Sequence, residues 1–158
     1  MSNALPPRPR LGVSKRRFTI VASQFNARYV QGLVNHATEE LRELVSGAVL
    51  TLHQVPGAFE IPIVVREIAL QEKADAIIAV GVILQGDTAH AQLLSQSVTQ
   101  ALQQIALEYG VPVINAVLSL ENEEQARERC LEKKINRGIE AARAAIQIAN
   151  VMGDLRGK

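Results

Sequence analysis

The sequence predicts an α/β fold, a single domain on an open, mostly parallel four-stranded sheet with helices on both faces. Three observations predict it. Short β-rich runs alternate with longer segments whose apolar residues recur at helical spacing. The stretch Ala76-Ile77-Ile78-Ala79-Val80 is continuously apolar, as strands buried on both faces of a parallel sheet are. At 158 residues, 47% of them apolar, the chain has the size of one domain and the material for a sizeable core.

The elements follow in order. Residues 1–14 hold Pro6, Pro7 and Pro9 among polar residues and read as a flexible N-terminal arm, with 15–158 as the single domain. Phe18 to Ala22 is the first strand. From Tyr29 to Leu44 the residues Val30, Leu33, Val34, Ala37, Leu41 and Leu44 mark one face of a helix, closed by Gly47. Val49 to Leu52 is the second strand. Ile61 to Leu70 reads as a helix with Pro62 in its first turn, where a missing N–H costs little. After the Ala76–Val80 strand, Thr88 to Tyr109 reads as a long helix stopped by Gly110. Val113 to Leu118 is the fourth strand. A helix from Asn122 to about Lys134, opened by an Asn122/Gln125 capping pair, and another from Ile139 to Met152 complete the chain.

Composition excludes several classes of function. No stretch approaches the roughly 18 uncharged apolar residues that span a bilayer, and Met1 to Arg17 carries no apolar signal region. The single Cys130 rules out a disulfide framework and a multi-cysteine metal site, which fits a reducing cytoplasm. Seventeen basic residues against 16 acidic ones leave a net charge of +1, too little for a global nucleic-acid field. Aromatics make up 3% of the chain, so no broad stacking platform exists.

In a parallel sheet, ligands bind beyond the carboxyl ends of the strands. That directs attention to four junctions: Ser23 to Asn26, Val55 to Glu60, Gly81 to His90, and Ser119 to Asn122. In Gly86-Asp87-Thr88-Ala89-His90 the start of a helix presents unpaired N–H groups, which form an anion site, and His90 in the first turn is placed for proton transfer. The alternative is that Asp87 or Thr88 simply caps the helix above a solvated His90. Glu60 can bind hydroxyls or merely complement a helix dipole. Phe25 can stack on a flat heterocycle or pack over the next helix, and Phe59 by itself suits the core. Neither a P-loop nor a dinucleotide fingerprint occurs. His36 and His53 lack ligands at metal spacing and read as exposed helix and strand residues. Arg127, Arg129, Lys133, Lys134 and Arg137, interleaved with glutamates, read as a solvated face, one of whose bases could anchor a phosphate.

At these junctions the chain resembles the 6,7-dimethyl-8-ribityllumazine synthases of riboflavin synthesis. Pro56-Gly57-Ala58-Phe59-Glu60-Ile61-Pro62 matches that family's second-junction motif without a break, and Gly86 to His90 matches its phosphate-and-histidine motif. Glu124 to Arg129 resembles its Glu-Gln-Ala-x-Glu-Arg segment, Asn136-Arg137-Gly138 its Asn-Lys-Gly, and Phe25-Asn26 its first junction. The likeness runs from about residue 17 to 152 in order.

The resemblance implies a flavodoxin-like three-layer α/β/α sandwich acting as a cytoplasmic transferase without metal or organic cofactor. It implies that 5-amino-6-(D-ribitylamino)uracil condenses with 3,4-dihydroxy-2-butanone 4-phosphate, phosphate leaves, and ring closure with loss of water gives the lumazine. It implies active sites shared between neighbouring subunits of a homopentamer, with no nucleic-acid or membrane partner. Carried over by position, Phe25 would stack on the pyrimidine and Ala58, Phe59 and Glu60 would hold the ribityl chain. Val82, Ile83 and Leu84 would offer backbone groups to the pyrimidine edge. Asp87 and Thr88 would bind the phosphate, with Arg129 closing over it from the adjacent subunit, and His90 would transfer protons.

The chain departs from the family at several places. Asn115 stands where Phe is frequent, and would then hydrogen-bond the heterocycle instead of walling it. Gln85 replaces a common Arg, Ala91-Gln92-Leu93 follows His90 in place of an aromatic pair, and Arg137 replaces a Lys. The first two departures are what a non-catalytic flavin- or lumazine-binding or shell-forming paralogue would show. On assembly, the uninterrupted connection from Cys130 to Arg137 suits a 60-subunit shell, whereas the proline-bearing arm suits a free pentamer.

Overall fold

A computed structural model describes residues 2–11, 15–86 and 88–157. The central sheet has four parallel strands, β1 (Arg17–Ser23), β2 (Val49–Val55), β3 (Ala76–Leu84) and β4 (Val113–Leu120), in the order β2-β1-β3-β4. Five α-helices, α1 (Ala27–Leu44), α2 (Ile61–Leu70), α3 (His90–Tyr109), α4 (Glu123–Ala126) and α5 (Arg137–Arg156), complete a three-layer α/β/α sandwich. The alternation read from the sequence is thus the architecture observed.

Each layer follows from side-chain periodicity. On one face of the sheet Phe18, Ile20, Ile78, Val80 and Leu118 pack against α1 and α5. On the other, Val21, Ile77, Ala79 and Val117 meet α2 and α3. Successive residues of β1 and β3 therefore point into different cores, which is why both strands are apolar at nearly every position. β2 is an edge strand, mostly exposed, with only Val55 fully buried. β3 and β4 extend past the apolar runs that announce them, because pairing continues to Leu84↔Leu120.

α1 and α5 come unusually close. A Cβ built on Gly138 would lie 2.4 Å from the carbonyl oxygen of Leu33, a backbone atom that cannot rotate away. Asn136 starts α5, its Oδ1 accepting from the N–H groups of Gly138 and Ile139 at 2.9 and 3.1 Å. That cap sets the helix start two residues earlier than the apolar periodicity suggests.

The penultimate helix differs most from expectation. Asn122 caps it as anticipated, Oδ1 accepting from Gln125 N–H at 2.9 Å. α4 then widens after Ala126 into a π turn, Arg127–Leu131, and the chain turns extended at Glu132. His36 is half-buried, not exposed. Its Nε2 donates to Leu131 O at 3.0 Å and so satisfies a carbonyl at the end of that turn.

Residues 2–11 form no helix or strand and lie against α1 and α5. Arg143 donates to Pro6 O, Arg8 pairs with Glu40 at 2.9 Å and with Glu43 at 3.1 Å, and Arg10 pairs with Asp154 at 2.6 Å. Glu40 is buried and also meets Arg143 at 3.0 Å, so its charge is balanced from two sides.

Two predictions follow from the packing. Gly138→Ala, which forces α5 away from α1, lowers stability by about 1–3 kcal/mol in chemical denaturation. Burial pushes the Cys130 thiol up to about 12, overriding the opposing pull of Arg129. The thiol is therefore silent to a thiol reagent at pH 8 while the chain is folded, and one equivalent reacts after unfolding. Because only the unfolded thiol ionises as pH rises above about 9, Cys130 makes stability fall with pH from there to about 12, measurable as a declining denaturation midpoint.

Candidate active site

The chain leaves β1 through α1 to reach β2 on one side, then crosses back to β3 on the other. The β1–β3 boundary is therefore the point where strand order reverses, and a crevice opens there at the carboxyl ends. A cleft of about 470 Å³ occupies it, lined by Ser23, Phe25, Asn26, Gly57 to Glu60, Val82 to Leu84, His90, Ala91 and Leu94.

Three junctions are stitched together at its floor. Asn26, in the left-handed region at φ 56°, precedes α1, and its Nδ2 donates to Val82 O at 2.8 Å, joining the first junction to β3. Gln24 N–H donates to Pro56 O at 3.3 Å, joining the first junction to the second. Gly57 permits this crowding, since a Cβ there would lie 3.2 Å from the Phe25 ring and 3.1 Å from Glu60 Oε2. The Phe25 ring thus covers Gly57 on one side and leaves 71% of the residue's surface open, so it does not pack as a core aromatic. Phe59, at 69% exposure, is likewise a cleft residue and not the core residue its apolarity suggests.

Ala58 to Glu60 form a single 3₁₀ turn before α2, with Glu60 N–H bonded to Gly57 O at 3.2 Å. Val82 and Ile83 are buried, so they meet the cleft at the strand end, where β3 gives way to loop and no helix covers the backbone. His90 is the first residue of α3 and exposed. Thr88 precedes it and accepts from His90 N–H at a long 3.4 Å, and α3 carries no side-chain cap. Among the described residues, the first turn of α3 thus has the weak Thr88 contact as its side-chain partner. Asp87, expected to share in that role, lies outside the described residues. Gly86 has ordinary φ and nothing within 4 Å of a Cβ built on it, so no contact within the chain demands glycine there.

The cleft gathers Phe25, Ala58, Phe59, Glu60, Val82, Ile83, Leu84 and His90, all singled out by sequence, with Thr88 two residues from the last. Two expected residues stand apart from it. Arg129 sits on the π turn with its side chain 15% exposed. Its Nε and Nη1 are buried with no hydrogen-bond partner among the described residues, and Glu128 Oε2 lies 3.5 Å from Nη1. Asn115 faces α3 from the edge strand β4, with Nδ2 donating to Thr99 Oγ1 at 3.1 Å and Oδ1 accepting from Val117 N–H at 3.0 Å. Sequence reasoning passed over Ser23, Asn26 and Leu94. The first two lay within a flagged junction, and an asparagine between strand and helix signals a left-handed turn.

Among the described residues, the ionisable side chains lining the cleft are Glu60 and His90. The surface is otherwise apolar walls and strand-end backbone, and no Lys or Arg lines it among the described residues. Among the described residues no group of three or more His, Cys, Asp or Glu is placed to hold a metal ion. No helix there is long and apolar enough to cross a membrane.

A family profile for 6,7-dimethyl-8-ribityllumazine synthase matches residues 15–153. The chain is 42% identical to the 6,7-dimethyl-8-ribityllumazine synthase of Paraburkholderia phymatum over 144 residues, covering 90% of this chain and 81% of that one. It is 40% identical to the enzymes of the same name from Paraburkholderia phytofirmans and Paraburkholderia xenovorans, covering 90% of this chain and 83% of each. This likeness spans all four strand-end junctions, so the cleft is part of what is shared: the chain belongs to the 6,7-dimethyl-8-ribityllumazine synthase family.

Proposed function

We propose that the chain condenses 5-amino-6-(D-ribitylamino)uracil with 3,4-dihydroxy-2-butanone 4-phosphate, releasing phosphate and water and forming 6,7-dimethyl-8-ribityllumazine. Family membership supports the reaction. The observation that carries the site assignment is the gathering of Phe25, Ala58 to Glu60, Val82 to Leu84 and His90 in one strand-end cleft.

In this reading Phe25 stacks on the pyrimidine, while backbone groups of Val82, Ile83 and Leu84 meet its polar edge. Ala58, Phe59 and the Glu60 carboxylate hold the ribityl hydroxyls. The phosphate sits at the start of α3, on the N–H groups around Asp87 and Thr88. His90 takes a proton from the attacking amine and returns one as phosphate departs, so its neutral imidazole must face both reactants. Holding an amine and a ketone side by side supplies much of the remaining acceleration.

The phosphate of the ketone substrate needs a cation, and none lines the cleft among the described residues. Arg129, whose Nε and Nη1 make no hydrogen bond among the described residues, supplies it from a neighbouring subunit in our reading, and the working unit is a homopentamer. Asn115 belongs to that same neighbour's wall. The lone buried thiol of Cys130 suits a cytoplasmic enzyme.

The direct test mixes purified protein with both substrates and follows lumazine absorbance together with phosphate release. Turnover above the spontaneous reaction is expected, and its absence would refute the enzyme reading. His90→Gln lowers kcat by about 10²–10⁴ with little change in either KM. Arg129→Ala raises KM for the phosphorylated ketone by about tenfold or more, the worth of a charged hydrogen bond. KM for the pyrimidine stays put. Sedimentation of the native protein gives a five-subunit particle or a multiple of it.

A further inference from the structure

The loop leaving β3 is held to β4 at a single point. Gln85 N–H donates to Leu120 O at 2.8 Å, continuing the parallel ladder one step past Leu84↔Leu120. The Gln85 side chain turns sideways along the strand ends, and its Nε2 donates to Ser119 Oγ at 2.5 Å. Beyond Gln85 the described loop makes little further contact. Gly86 stands in open space, and Thr88 offers only the 3.4 Å contact to His90 N–H. α3 has no side-chain cap, and its first turn is closed only by Leu93 N–H to Ala89 O at 3.1 Å. The start of α3 is therefore located from one side by the packing of α3, and from the other by Gln85.

We propose that Gln85 and Ser119 form a positioning clasp. It fixes the loop, and with it the first-turn N–H groups of α3 and the ring of His90, at a set distance from the Phe25 and Glu60 half of the cleft. The inference rests on the reading of α3's start as the phosphate site. In this role Gln85 acts through the bond from its Nε2 to Ser119 Oγ and not through a contact with substrate. The hydroxyl of Ser119 acts only as the anchor. β4 supplies that anchor because Ser119 lies next to the last ladder pair of the sheet, on a strand held by pairing from Ile77↔Val113 onward. A loop tied to that end inherits the rigidity of the sheet. Released from it, the loop keeps, among the described residues, the Gln85 backbone bond as its tie to β4.

The test uses the full-length protein with Gln85→Ala, Ser119→Ala, the double variant and Ser119→Thr, which keeps the hydroxyl. Steady-state kinetics with both substrates are combined with amide exchange at residues 88–91. Each alanine variant should raise KM for the phosphorylated ketone about three- to tenfold, in line with loss of one neutral hydrogen bond. KM for the pyrimidine and the thermal midpoint should hold. The double variant should be no worse than either single one, because the two residues make one bond, and Ser119→Thr should restore the wild-type value. Exchange at residues 88–91 should quicken in the alanine variants alone. Unchanged KM and exchange in both alanine variants would overturn the clasp, as would additive effects or an equal rise in both KM values. If the wild-type protein shows no turnover, the enzyme reading falls, and amide exchange still judges the clasp.

Discussion

Everything in this molecule depends on the parallel ladder centred on β3. A parallel strand with a neighbour on each side has its backbone groups paired throughout, and only its side chains can be used to build layers. Eight of the nine residues from Ala76 to Leu84 are buried, and alternate ones point into opposite cores. Two helical layers are then required to keep that surface from water. With both faces covered, the sheet is open only at its ends. The carboxyl end, where β1 and β3 stop and their connections diverge, is where polar backbone becomes available to a ligand.

The cleft inherits its character from this. Its walls are strand-end backbone and the rings of Phe25 and Phe59, its charges a single carboxylate and a single imidazole. An enzyme handling a phosphorylated substrate with so little positive charge at hand must bring it from elsewhere. Arg129, whose Nε and Nη1 make no hydrogen bond among the described residues, stands on a turn set apart from this cleft. Buried guanidinium nitrogens without hydrogen bonds are costly, and in our reading an arriving anion offsets that cost. Association of subunits and binding of substrate are therefore linked in our reading, since each supplies part of what the other lacks.

Much of this was legible in the sequence because the signals are local. The continuous apolar run at Ala76–Val80 announced a doubly covered strand, the 3.6-residue spacing from Val30 to Leu44 announced α1, and Asn122 with Gln125 announced the start of α4. Strand-end position alone directed attention to Phe25, Glu60 and His90. What was not legible is tertiary. That Asn26 would bridge to Val82 O across 56 positions, or that His36 would reach Leu131 O across 95, requires knowing which elements are neighbours. The π turn was missed because Arg127 to Leu131 carries good helix formers, and only the extended backbone at Glu132 ends it. Nor could the sequence show that the Asn115 amide donates to Thr99 and accepts from Val117 N–H on the edge strand.

The ion cluster around Glu40 bears on how this chain can vary. Glu40 is 5% exposed, lies within 3.0 Å of Arg143 from α5, and is reached by Arg8 from the arm. Losing Arg143 leaves Glu40 to the exposed Arg8, and losing Glu40 strips Arg143 of its carboxylate, whereas exchanging both ends for well-fitting apolar side chains costs little and can even stabilise. Arg8 is 49% exposed and solvated, so it cannot substitute fully for Arg143. A leucine at position 40 or 143 alone therefore costs stability that an apolar residue at both positions recovers.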